Sequence, residues 1–126
     1  FNIEEKILGD SAQFLKPGGW VTTLDRSAQQ WDTPIGWAPL QWVVYVGMNN
    51  YGFARQAAEG ARRWVENNLH VYRTTGRQLE KYNFEEIGGP TGGEEYAVQN
   101  GFGWTNGILL RFPKELEAEP ASAGRT

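Results

Sequence analysis

The sequence predicts an all-α segment in which helices alternate with long Gly- and Trp-rich loops. Three observations lead there. Apolar residues recur at steps of three and four in several stretches, the spacing of one helix face. Clusters of Gly and Pro separate those stretches. The 126 residues include six Trp and sixteen Gly, and 13% are aromatic. That is rich for a plain helical bundle and fits a ligand-facing surface laid on one.

The first helix is read over Asn2 to Leu15, with Ile3, Ile7, Leu8, Ala12 and Leu15 on its apolar face. Pro17-Gly18-Gly19 ends it. Thr22 to Gln29 is polar and irregular. It leads into Gln30-Trp31-Asp32-Thr33-Pro34-Ile35-Gly36-Trp37-Ala38-Pro39. Pro34 and Pro39 fix φ and remove two donors. Thr33 and Ala38 before them are pushed toward extended geometry. A rigid loop is expected here, neither helix nor strand.

Pro39 suits the first turn of a second helix. Its expected stripe is Leu40, Val43, Val44, Gly47, Met48 and Tyr51. Valine and glycine lower its propensity, so packing must stabilise it. Asn49-Asn50-Tyr51-Gly52 is the turn into a third helix, from about Phe53 to about Tyr72. Ala57, Ala61, Val65, Leu69 and Tyr72 line one side of that helix, and Thr74-Thr75-Gly76 ends it. Together the two helices make an αα-hairpin. Gln78 to Tyr82 is open between a helical turn and a strand.

Phe84 to Glu95 is too polar and Gly-rich for the interior of an element. A loop this long in a compact domain is usually functional. A fourth helix is expected to start near Trp104, with Trp104, Ile108 and Phe112 on one face. Pro113 should kink or stop it. Residues 1–114 thus read as the folded portion. Residues 115–126 are acidic, then Pro/Ala/Ser/Gly-rich, and read as a flexible tail.

The net charge of −3 gives no electrostatic case for nucleic acid. No apolar run approaches the ~18 residues of a membrane span. The absence of cysteine excludes a disulfide and a thiolate metal site, and leaves the compartment undecided. The spacing of Asp, Glu and His shows no metal motif, and no cofactor is implied. His70, the sole histidine, reads as a satisfied or exposed side chain. The chain begins at Phe1 with helical patterning directly behind it and no signal-peptide pattern. A start inside a larger polypeptide, or processing, is expected.

The stretch 30–39 combines flat aromatics with a carboxylate on a stiff backbone. Such a loop suits a pyranose ring, whose C–H face lies on an indole while the acid accepts from hydroxyls. The alternative is a structural turn whose tryptophans cap a core. Acids in loop-like settings are Asp25, Asp32, Glu80, Glu85, Glu86, Glu94 and Glu95. Pattern alone does not rank them, and a solvated surface acid is the ordinary reading of any one.

The decapeptide resembles the trehalase signature Gln-Trp-Asp-x-Pro-x-Gly-Trp-x-Pro, with every fixed position filled. Glu80-Lys81-Tyr82-Asn83 resembles the Glu-Lys-Tyr segment that precedes the glycine-rich loop of that family. Gly92-Gly93-Glu94-Glu95-Tyr96, then Gln99-Asn100-Gly101-Phe102-Gly103-Trp104-Thr105-Asn106-Gly107, resembles the loop and the run behind it. Pro17-Gly18-Gly19, Thr22-Thr23 and Gln29-Gln30 also match. The motifs fall in the family's order from about Phe14 to about Gly107. Two features depart from it. Pro90, Thr91 and Glu94 interrupt the glycine run, and Glu94 beside Glu95 leaves the Glu-Tyr assignment open by one residue.

The resemblance implies the C-terminal part of an (α/α)6 barrel, a cofactor-free glycoside hydrolase acting on the α,α-1,1 bond of trehalose to give glucose with inversion. It implies Glu80 as general base and Glu95 as a substrate residue. Gln30, Trp31, Asp32, Trp37, Phe102 and Trp104 are the other candidates for the sugar site. Lys81 beside Glu80 reads as a solvated surface lysine, or as a cation that helps keep Glu80 ionised. The general acid, an aspartate in an upstream motif, is not matched here; Asp25 and Asp32 do not fit it. An N-terminal part, covalent or a second chain, is expected to supply it. Trehalases are often periplasmic or secreted, and some are cytoplasmic. Two other readings stay open: a related (α/α)6 α-glucosidase, and a non-catalytic sugar-binding or interaction module that kept the loops.

Overall fold

The computed structural model describes residues 2–91 and 96–118. Among them lie α1 (Ile3–Phe14), β1 (Leu15–Lys16), β2 (Gly19–Trp20), β3 (Ile35–Trp37), α2 (Ala38–Asn50), α3 (Ala54–Thr75), β4 (Lys81–Asn83) and α4 (Gly103–Ala118). The chain is mostly helical, as its periodicity predicts. The short strands form two antiparallel ladders, β1 with β2 and β3 with β4.

Asn2 caps α1, its side chain accepting from the backbone N–H of Glu4 and Glu5. No residue of α1 is buried, and Ile3 and Leu8 on its apolar face are exposed. Pro17-Gly18-Gly19 does end the helix, and it does so by turning the chain back in the β1–β2 hairpin.

The tertiary centre is an aromatic knot where α2, α3 and α4 meet. Phe112 of α4 is fully buried, with Tyr45 and Trp42 of α2 at ring-centroid distances of 5.1 and 5.9 Å. Trp64 of α3 meets it edge-on at 5.7 Å. The inward face of α2 is Ala38, Gln41, Tyr45 and Met48. The expected stripe is therefore rotated: Met48 points in, while Val43 and Tyr51 are exposed. Aromatic and amide side chains fill the interior there, and a pattern of aliphatic residues does not report them. Gln41 is wholly buried yet satisfied. Its Nε2 donates to the carbonyls of Trp20 and Trp37 at 2.8 and 3.0 Å, and its Oε1 accepts from Trp20 N–H at 2.8 Å.

α3 buries Ala57, Gly60, Ala61, Trp64, Asn67, Asn68 and Val71. The two alanines fall as expected, but the face then swings to Trp64 and Val71, leaving Tyr72 exposed. Gly60 lets the Trp20 indole lie on the helix; a Cβ there would stand 2.0 Å from the ring. Gly76 ends α3 in the left-handed region at φ 71°, its N–H donating to Tyr72 O at 2.7 Å.

Two expectations are corrected. Residues 35–37 of the proline-rich stretch are a strand, β3, because Lys81–Asn83 offers it a ladder partner. Sequence order hides that partner, which lies over forty residues away. And α4 neither stops at Pro113 nor leaves 115–118 to a tail; it runs through Pro113 to Ala118. Phe112, locked in the knot, anchors the helix on both sides of the proline. Residues 119–126 lie outside the described residues.

Candidate active site

The β3–β4 ladder brings the proline-rich stretch to the Glu80 segment. Its register pairs Trp37 with Lys81, Gly36 with Tyr82 and Ile35 with Asn83. Gly36 is required here, since a Cβ would stand 1.9 Å from the Phe84 ring. The third motif is tied to the same place. Glu80 N–H donates to Gln99 O at 3.0 Å and Gly101 N–H to Gln78 O at 2.8 Å. Thr105 at the start of α4 donates to Glu80 O at 3.3 Å. Three sequence-distant segments thus converge on one residue.

Glu80 is 3% exposed. Its Oε1 accepts from the Tyr96 hydroxyl at 2.7 Å. Its Oε2 is buried and has no hydrogen-bond partner among the described residues. A buried carboxylate with one oxygen held and the other unengaged is unusual, because burial without pairing is costly. Such an atom is suited to accept from a bound water or hydroxyl.

Lys81 corrects the surface-lysine reading. It is wholly buried. Its Nζ donates to Gln30 Oε1 at 2.9 Å and lies over the rings of Tyr96 and Trp37, at 4.9 and 5.5 Å from their centroids. Two aromatic faces and an amide oxygen replace water around the ammonium.

The aromatic candidates are contiguous. Trp31 stacks on Trp37 with centroids 3.9 Å apart. Trp104 meets Trp37 edge-on at 5.9 Å, and Phe102 lies 4.9 Å from Trp104. Trp37 is buried, its indole N–H donating to Gln30 O at 2.8 Å, whereas Trp31 and Trp104 are exposed. Gln30 is buried as well, so Trp37 and Gln30 form the floor and Trp31 and Trp104 the open faces. Asp32 accepts from the Ser27 hydroxyl, and its carbonyl accepts from Ile35 N–H at 2.9 Å, closing the turn. Glu94 and Glu95, the candidates for the Glu-Tyr pair, lie outside the described residues. His70 is exposed on α3, lining a groove with Arg63 and Arg73.

Supporting residues that pattern reading passed over are Asn83, Tyr82 and Tyr96. Asn83 folds the start of the Gly-rich loop: its Oδ1 accepts from the N–H of Glu85 and Glu86, and its Nδ2 donates to Pro90 O at 2.9 Å. Arg26 pairs with Glu85, which holds that loop to the stretch before the tryptophans and raises the guanidinium further above its ordinary value. Tyr82 accepts from Leu79 N–H at 2.8 Å. Burial pushes its phenol up, and that hydrogen bond opposes the shift. The signal for Asn83 was its place just before a Gly-rich loop, where Asx side chains organise turns. Tyr96 sits directly after the two glutamates.

The Trehalase family profile matches residues 5–117. The chain belongs to the trehalase family. It is 44% identical to the periplasmic trehalase of Citrobacter koseri over 119 residues, 90% of this chain and 21% of that one. It is 48% identical to the periplasmic trehalase of Salmonella paratyphi B over 100 residues, 79% of this chain and 18% of the relative. The chain thus spans about a fifth of the length of these trehalases. Its fold is similar to a part of the neutral trehalase of Saccharomyces cerevisiae, with a TM-score of 0.74 and 25% identity, covering 97% of this chain and 21% of that one. No helix among the described residues is long and apolar enough to cross a membrane.

Proposed function

We propose that this chain is the C-terminal part of an (α/α)6 barrel that hydrolyses trehalose to glucose with inversion, and that Glu80 is its general base. The observation that carries this is the Glu80 carboxylate. It is buried, fixed through Oε1 by Tyr96, and its Oε2 has no hydrogen-bond partner among the described residues.

In the proposed reaction Oε2 accepts a proton from a water as the water oxygen bonds to the anomeric carbon. The glycosidic C–O bond breaks, and an acid on the opposite side protonates the departing oxygen. An inverting pair stands ~6.5–9.5 Å apart to admit that water. The acid is supplied by an aspartate of the N-terminal part of the enzyme. Trp31 and Trp104 offer open ring faces to glucose C–H groups, with Phe102 beside them. Asp32 and Glu95 are the hydroxyl acceptors. Trp37 and Gln30 act from beneath. Membership of the family, at 44–48% identity to enzymes named periplasmic trehalases, supports trehalose as substrate and the periplasm as compartment.

The test is Glu80→Gln in the complete enzyme. Turnover of trehalose should fall by about 10²–10⁴-fold, with affinity for trehalose retained. In the unaltered enzyme the first product seen by NMR should be an equimolar mix of α- and β-glucose, because inversion converts one ring only. An active Glu80→Gln enzyme sinks the base assignment, and two α anomers sink the inversion.

A further inference from the structure

We propose that Tyr96 is a positioning residue for this reaction: its hydroxyl fixes the base so that one oxygen alone faces the water. The inference rests on the reading of Glu80 as general base and adds to it the device that orients it.

A carboxylate has two near-equivalent oxygens and rotates about its last side-chain bond. A base that must take a proton along one direction loses rate if that rotation is free. At Glu80 the two oxygens are not equivalent. Oε1 accepts from Tyr96 Oη at 2.7 Å, a short, well-formed hydrogen bond. Oε2 has no hydrogen-bond partner among the described residues. The phenol therefore selects which oxygen does the chemistry.

Tyr96 is itself held. The buried ammonium of Lys81 lies 4.9 Å from its ring centroid, on the face of the ring. Lys81 is fixed by Gln30 at 2.9 Å and by the Trp37 ring. The decapeptide thus reaches the base through a chain of contacts: Gln30 to Lys81, Lys81 to the Tyr96 ring, Tyr96 Oη to Glu80 Oε1.

The experiment is Tyr96→Phe in the complete enzyme, beside Glu80→Gln. Tyr96 is 42% exposed, and phenylalanine keeps the ring beneath Lys81. With trehalose, kcat should fall about ten- to a hundredfold while KM changes by less than about twofold. Tyr96→Leu, which also removes the ring, should lower kcat at least as far, and it serves as the readout if the Phe variant does not fold. An unchanged kcat in a folded variant, or a kcat and KM that shift together, overturns the role of Tyr96. If Glu80→Gln remains active, the base assignment has failed instead. If Glu80→Gln is inactive and Tyr96→Phe is normal, only the positioning role has failed.

Discussion

Lys81 Nζ donates to Gln30 Oε1 at 2.9 Å across 51 positions of sequence. This bond ties the tryptophan-bearing stretch to the strand that follows Glu80. Gln30→Leu would leave a wholly buried ammonium with ring faces but no hydrogen-bond acceptor among the described residues. The loss of stability should be about 1.5–3 kcal/mol, the worth of a hydrogen bond to a charged group. Adding Lys81→Met should recover part of it, since replacing both partners by apolar groups costs less than orphaning one. Urea unfolding of the single and double variants reads this. A double variant less stable than Gln30→Leu would contradict it.

Gly36→Ala tests the close approach of β3 to Phe84. The new Cβ would meet the ring at 1.9 Å, far inside contact distance. Phe84 is fully buried and cannot simply step aside. The expected cost is about 3 kcal/mol, at the upper end for an overpacked core. Because β3 and β4 carry Trp37 and Lys81, trehalose turnover should fall along with the unfolding midpoint. Pairing Gly36→Ala with Phe84→Leu should restore part of both.

The helices were legible because α1, α2 and α3 carry their signals locally: the three-and-four spacing of Ile3, Ile7, Leu8 and Ala12, Pro39 in a first turn, Gly76 as a terminator. The faces were less so. Gln41, Asn67 and Asn68 are buried in helices through amide hydrogen bonds, and no hydrophobic pattern records that. The β3 strand was missed because its partner is distant in sequence. Pro113 looked like a stop because proline alone speaks against helix, while the packing of Phe112 beside it speaks for one. Glu80 was singled out by resemblance, since nothing in its local pattern set it above six other acids. The burial of Lys81 depends on Gln30, Trp37 and Tyr96 arriving together, which only the fold brings about.

The Glu59 cluster on α3 gives a pH signature. Arg63 hydrogen bonds hold its carboxyl below the ordinary value of 4.5, against the desolvation that opposes them, and Arg62 adds to the lowering. A depressed carboxylate stabilises the fold above its unfolded value and loses that contribution as pH falls through the folded one. Glu59→Gln should therefore cost stability at pH 7 and cost progressively less below about pH 4.5. The side chain is 45% exposed, so solvent screening limits the effect to about 0.5 kcal/mol. Added salt should shrink the difference at pH 7. A gap that widens on acidification would reverse the sign.

Trp104 separates binding from support. It is 37% exposed, meets the edge of buried Trp37 at 5.9 Å and lies 4.9 Å from Phe102. Its outer face is exposed among the described residues, whereas Trp37 is covered. Trp104→Ala should weaken trehalose affinity by about three- to tenfold, the worth of one aromatic contact of ~0.5–1.5 kcal/mol. The unfolding midpoint should move little. Trp37→Ala should do the opposite first, destabilising by about 3–5 kcal/mol through the cavity left under Trp31 and over Lys81. Calorimetric titration of trehalose into the complete Glu80→Gln enzyme, with and without Trp104→Ala, isolates the binding term from turnover. Equal affinities in two folded proteins would move the sugar off Trp104 and leave Trp31 as the exposed indole of the wall.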